Sequence, residues 1–195
     1  MRRSAILGLA AAAVLAVASA AVAEGLRWEL GIKHDTPSWV RVPAGDGKTA
    51  LSWLMTYQVE NKSGAARKPS VRAELRTDTS KTFGDSGDPL TVKAAKTKTG
   101  TKDLCTAADL RAGIEDGKTV ACVATFGAVD DLAKKIELRV YGLMDPVSMV
   151  KGKQVYEEKY WQAKYERKGD EFGRTEDAWK LVSCGWMMEE AKGGK

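Results

Sequence analysis

The sequence predicts an all-β chain folded as a single antiparallel sandwich, and three observations carry that expectation. Stretches of eight to ten residues alternate apolar and polar side chains with a period of two, which a half-buried strand requires. Clusters of Gly, Asp, Asn and Ser separate these stretches and supply the chemistry of tight connections. Alternating strand–helix units, the mark of a parallel sheet, are absent.

The first strand, "LRWELGIKH", places Leu26, Trp28, Leu30, Ile32 and His34 on one face and Arg27, Glu29 and Lys33 on the other. After the turn "GDGK", "LSWLMTYQVE" alternates Leu51, Trp53, Met55, Tyr57 and Val59 with Ser52, Leu54, Thr56, Gln58 and Glu60. "NKSG" is the next turn. Asn61-Lys62-Ser63 also fits a glycosylation sequon, and the turn is the favoured reading. "VRAELRTDT" points Val71, Ala73 and Leu75 inward, with Arg72, Glu74 and Arg76 outward. "DSGDP" and "EDGK" read as further turns. Between them, "KAAKTKTGTKD" (93–103) holds no large apolar residue and is expected to be mobile. The one expected helix is "LCTAADLRAGIE", with Thr106 as N-cap and Asp109 in the capping-box position.

"TVACVATF" is apolar on both faces and reads as a central strand, and "KIELRVYGL" points Ile136, Leu138 and Val140 inward. In "KQVYEEKYWQAKYE" the apolar set changes face between Val155 or Tyr156 and Trp161, which calls for a bulge or bend. "AWKLVSCGWMM" is the last strand. About eight to ten short strands with at most one short helix make an immunoglobulin-like β-sandwich over residues 24–188.

Residues 1–23 read as a cleaved signal peptide. Arg2 and Arg3 form a basic head, an apolar run follows, and Ala21-Val22-Ala23 fits the small-residue exit. The run is too short for a membrane anchor, which needs about 20 apolar residues, so no stable membrane insertion is expected. The expected product is exported, periplasmic or extracellular. Residues 189–195, "EEAKGGK", are expected to form a flexible tail. The net charge of +5 falls to +3 when Arg2 and Arg3 are removed. So small an excess, without a nucleic-acid motif, argues against a nucleic-acid partner.

In an exported protein, thiols tend to pair. Cys105 and Cys122 are the favoured disulfide, Cys122 with Cys184 the alternative, and Cys184 is then expected as a buried small apolar residue.

The stretch Trp53, Tyr57 and Val59 through Gly64, followed by "ELRTDTSKTF", resembles exported bacterial Ig-like domains of uncharacterised function. In those a strand ends in Asn-x-Ser/Thr-Gly and the next carries L-x-x-D-x-G-x-x-[YF]; Ser80 stands here where Gly is usual. The resemblance spans residues 50–85 and implies an extracytoplasmic binding or assembly role without site residues.

Candidate chemistry is sparse. His34, the single histidine, neighbours Asp35, but no Ser sits in a G-x-S-x-G context and no Cys in a nucleophile signature. No catalytic residue is assigned. Calcium is the one candidate cofactor. It takes six to eight oxygens, which two acidic loops offer: one with Asp78, Asp85 and Asp88, the other with Asp170, Glu171 and Asp177. Neither follows EF-hand spacing, and Lys81 and Arg174 can neutralise them, so a polar connection is the favoured reading of each. Trp39, between two prolines, plugs the sandwich or serves as a recognition anchor. The expectation is a non-enzymatic module that binds or scaffolds a protein or envelope polymer. A small secreted hydrolase using carboxylates or calcium is the competing reading.

Overall fold

A computed structural model describes residues 27–128, 130–150, 153–168 and 178–189. The signal segment, most of the tail, and Asp170, Glu171 and Asp177 lie outside the described residues. The elements run β1 (Gly31–His34), β2 (Ser38–Pro43), β3 (Thr49–Glu60), β4 (Arg72–Thr77), β5 (Thr82–Gly84), α1 (Pro89–Thr99), a 3-10 turn (Asp109–Ala112), β6 (Thr119–Gly127), β7 (Lys135–Tyr141), β8 (Val147–Val150), β9 (Lys153–Tyr156), β10 (Lys159–Arg167) and β11 (Trp179–Met188). Every strand pair is antiparallel. The described residues are all-β with a single α-helix.

Two sheets face each other. In the first, long β3 pairs with β6 on one side, while β1 and β2 share the other side end to end. Pro37 has no N–H to donate, and the strand breaks there. Asp35 closes the gap by donating its N–H to the Thr56 carbonyl at 3.0 Å. The second sheet has the order β11-β10-β7-β4-β5, and β8 and β9 form a separate hairpin.

The inward positions read from the alternation meet between the sheets. Met55, Tyr57 and Val59 from β3 pack with Ala73 and Leu75 from β4 and with Ile136, Leu138 and Val140 from β7. The outward face of the second sheet carries opposite charges in register: Glu74 lies across from Arg139, and Arg76 across from Glu137. Such cross-strand pairs contribute a few tenths of a kcal/mol to about 1 kcal/mol each.

The outer face of the first sheet departs from the alternation. Leu54 and Ser52, read as outward, are buried because α1 lies over them. Val92 and Ala95 pack with Leu54, Val40 and Val123, and Thr91 donates its hydroxyl to Ser52 at 2.8 Å. So 93–99 is helical, where a mobile loop was expected. The anchors Thr91 and Val92 lie just before the Lys- and Thr-rich stretch, and the small Ala95 lets the helix sit close to the sheet. What read as a turn in "DSGDP" is the start of this helix. Asp88 caps it by accepting the Thr91 N–H at 2.8 Å, Pro89 occupies the first turn, and Gly100 ends it at φ +68°.

The expected helix at 104–115 shortens to one 3-10 turn. Its reciprocal capping bonds are nonetheless made: Thr106 N–H donates to Asp109 Oδ2 at 2.8 Å, and Asp109 N–H donates to Thr106 Oγ1 at 3.3 Å. The change of face in the late segment is a full break at Glu157 and Glu158, which divides β9 from β10.

Asn61 decides between turn and sequon. Its side chain is fully buried, with Nδ2 donating to the carbonyls of Ala65 (2.8 Å) and Ile114 (2.7 Å) while Oδ1 accepts from Ser63 N–H and Oγ. The atom a glycan would need is enclosed, and the turn reading holds. Asn61→Ala leaves two carbonyls without these donors, so a loss on the order of 3 kcal/mol is expected. The urea midpoint should fall at unchanged slope. A midpoint equal to the parent's would mean that this network contributes nothing.

Candidate functional site

The carboxylates of the first acidic loop are engaged separately. Asp78 accepts the Lys134 N–H at 3.1 Å, Asp85 accepts those of Gly87 (3.0 Å) and Thr125 (2.9 Å), and Asp88 caps α1. Among the described residues no three His, Cys, Asp or Glu side chains gather into a metal-holding group. Asp78, Asp85 and Asp88 thus each tie down backbone N–H groups of a connection.

His34 is half-buried at the end of β1. Tyr165 Oη lies 2.7 Å from its Nδ1 and donates to the Asp35 carbonyl at 3.1 Å, and the imidazole packs edge-on against the Tyr165 ring. Burial lowers the His34 pKa, against the smaller opposing influence of Asp35, which favours a neutral ring. The histidine joins the two sheets and serves packing.

Cys105 and Cys122 are bonded. Cys184 is a free, exposed thiol, which corrects its expected burial. It sits on β11, the edge strand of the second sheet, where Leu181, Val182, Met187 and Met188 are also exposed.

A cleft of about 990 Å3 among the described residues was not foreseen as a site. Its floor is the stretch from Ser70 to Glu74 with Tyr141 and Gly142; Trp28 and the segment Thr106–Ala108 with Arg111 wall it, and Tyr156 of β9 stands at the rim. Four cations (Lys68, Arg72, Arg111, Lys159) and three carboxylates (Asp85, Glu74, Glu158) line it beside these aromatics. The Arg72 guanidinium lies 4.2 Å over the Tyr141 ring, and Arg67 lies 5.8 Å over Trp28. Burial, and then the neighbouring Glu189 carboxylate, holds the Glu158 pKa above the ordinary range. Arg27 fastens the N-terminal segment to the hairpin base by donating to the Asp145 carbonyl at 2.6 Å and pairing with Glu157 at 3.0 Å.

One backbone feature gives the cleft an edge. β5 pairs with β4 from Glu74 to Arg76 and the following Asp85 N–H donates to the Ala73 carbonyl at 2.9 Å, so the stretch 70–72 runs past the end of its neighbour. Exposed Tyr156 stands at the start of the stretch where the apolar set changes face, the one local sign of this site in the sequence.

Trp39 lies in a different place. It is half-buried, directly across from Trp53 in the β2–β3 ladder with ring centroids 5.3 Å apart, and both line a smaller pocket of about 200 Å3. The chain matches no protein-family model, no curated protein and no solved structure.

Proposed function

We propose that the protein is an exported, non-enzymatic binding module of the cell envelope, and that its large cleft holds an extended peptide segment of a partner. The observation that carries this reading is the cleft itself, in which aromatic walls and charges of both signs adjoin a strand edge left open beyond β5. An extended peptide placed there adds backbone hydrogen bonds to the edge, while its side chains meet Trp28, Tyr156 and the flanking charges. The dimensions fit the range of ligand clefts, about 300–1,000 Å3.

Export is supported by the basic head and apolar run of residues 1–23 and by a disulfide that suits an oxidising compartment. Among the described residues no helix is long and apolar enough to cross a membrane. The kinship with exported Ig-like domains gains support from Ser80, at the position where that pattern has Gly: its φ is +64°, the left-handed backbone that glycine favours. Employment of His34 in packing favours binding over acyl transfer.

The test selects peptides from a displayed library on the purified protein and measures the winners against Tyr156→Ala and Arg111→Glu. Both residues are exposed cleft positions, so the variants should fold. Each is expected to weaken binding about tenfold, the loss of one good contact of roughly 1.4 kcal/mol. Selected peptides that bind both variants as tightly as the parent would remove the cleft from consideration.

A further inference from the structure

The smaller pocket opens where the two sheets meet at the far end of β10 from the large cleft, since Lys159 lines one and Arg167 the other. Three indoles form it. Trp53 stacks with Trp39, and Trp179 meets Trp53 edge-on at 5.6 Å. Arg167 stands beside them, 5.7 Å over the Trp179 ring. Its guanidinium is an unusual component of such a place. The residue is only 8% exposed, Nη2 donates to the Asp131 carbonyl at 3.1 Å, and Nε has no acceptor among the described residues. Nor does any carboxylate among the described residues form an ion pair with it. A buried cation with no ion-pair partner among the described residues is costly, and Arg167 lines a pocket that a ligand could enter.

We propose that this pocket is a glycan subsite for one carboxylate-bearing sugar, a uronic acid residue, whose carboxylate meets Arg167 while its ring lies against the indoles. Three properties of the lining select that chemistry. The guanidinium calls for an anionic acceptor and favours a carboxylate, whose two oxygens match its donors. The indole faces take the apolar C–H side of a sugar ring as they take other flat apolar bodies. The Asp130 carboxylate accepts from Lys81 (2.7 Å) and Thr79 (2.8 Å) at Oδ2 and from the Leu132 N–H (3.0 Å) at Oδ1, which leaves one Oδ1 lone pair for a hydroxyl donor. A neutral sugar supplies no carboxylate, and the aromatic C-terminus of a peptide supplies no hydroxyls for Asp130. Exposed Arg41 at the lining adds a second positive charge, so that Arg41 and Arg167 together balance Asp130 and Asp131. The volume admits one ring, so a chain would be gripped at a single residue.

Titration of the purified protein with trigalacturonate and with maltotriose, read by tryptophan fluorescence and by saturation-transfer NMR, tests this. Trigalacturonate is expected to bind, with maltotriose at least about tenfold weaker. Trp39→Ala should reduce trigalacturonate binding about tenfold, and Arg167→Gln should erase the preference for the acidic sugar. If Arg167→Gln fails to fold by its thermal melt, Arg41→Ala serves instead and should weaken trigalacturonate but not maltotriose. Tyr156→Ala, in the other cleft, should change neither, which separates this site from the peptide cleft. Equal binding of the two sugars, no binding of either at millimolar concentration, or indifference to Trp39→Ala would overturn the proposal. So would displacement of the sugar by N-acetyltryptophan at lower concentration, since that would mark a peptide-terminus pocket.

Discussion

Gly142→Ala is expected to lower the melting temperature by about 10 °C, the largest effect of a methyl group added at any glycine among the described residues. Gly142 follows β7 with φ +76°, where a side chain is strained. A Cβ there would stand 2.0 Å from the Ser70 carbonyl oxygen and 2.6 Å from its carbon, distances that real Cβ atoms do not show. Neither backbone can easily retreat. Ser70 leads directly into β4, and beyond Gly142 the Leu143 carbonyl accepts the Leu30 N–H at 2.8 Å. Left-handed strain of about 1–2 kcal/mol and a backbone displacement of similar or greater cost give roughly 3–5 kcal/mol. A kcal/mol shifts the melting temperature of a chain this size by about 2–4 °C. Gly47→Ala is the control, because its φ is +70° and nothing lies within 4 Å of the added carbon. A circular-dichroism melt should place Gly142→Ala well below Gly47→Ala. Coincident melts would mean that the close approach to Ser70 does not exist. Since Gly142 also lines the large cleft, the same contact fixes the floor on which Tyr141 and Arg72 stack.

That floor shows why so little of the site was legible. The strands were readable because burial on one face imprints a period of two, and Val71, Ala73, Leu75, Ile136, Leu138 and Val140 all fall where the period places them. The second face of β3 broke the rule because its cover, α1, is attached by only a few small or medium side chains. No window of amphipathic periodicity announces such a helix. Cys184 was misjudged for the converse reason: β11 has the composition of a buried strand but occupies the sheet edge. The cleft collects Trp28, Arg72, Arg111 and Tyr156 from four separate segments, and nothing local connects them. The acidic residues 78–88 attracted attention as a cluster, yet each is consumed by a backbone N–H, a use that composition alone does not distinguish from metal binding. Trp39 was read as either a plug of the sandwich or a recognition anchor. Its partners Trp53, Trp179 and Arg167 come from three other strands, which only the folded arrangement brings together.

The Cys105–Cys122 bond carries the other large expected effect. The two residues are 17 apart in sequence, and closing a loop of that size in the unfolded chain contributes about 3 kcal/mol. In a Cys184→Ser background, which removes the exposed thiol as an exchange partner, Cys105→Ala with Cys122→Ala should melt about 6–12 °C lower. Thiol counting checks the premise first: the native parent should take up one maleimide, at Cys184, and three only after unfolding and reduction. Three labels after unfolding without reduction would mean that the bond is not formed. The consequence for binding differs from that for stability. The bridged segment sits alongside β6 through hydrogen bonds of its own, Cys105 N–H to Ala121 O at 2.9 Å and Val123 N–H to Cys105 O at 2.8 Å. Further along, Ile114 and Arg67 exchange backbone hydrogen bonds of 2.8 and 3.0 Å. These contacts hold both ends of the wall that presents Arg111 to the cleft. Below its melting temperature, the disulfide-free variant should therefore bind selected peptides within about threefold of the parent, since a bond that acts on the unfolded chain leaves the native geometry in place. A parallel loss of binding and stability would instead show that the bond itself shapes the wall.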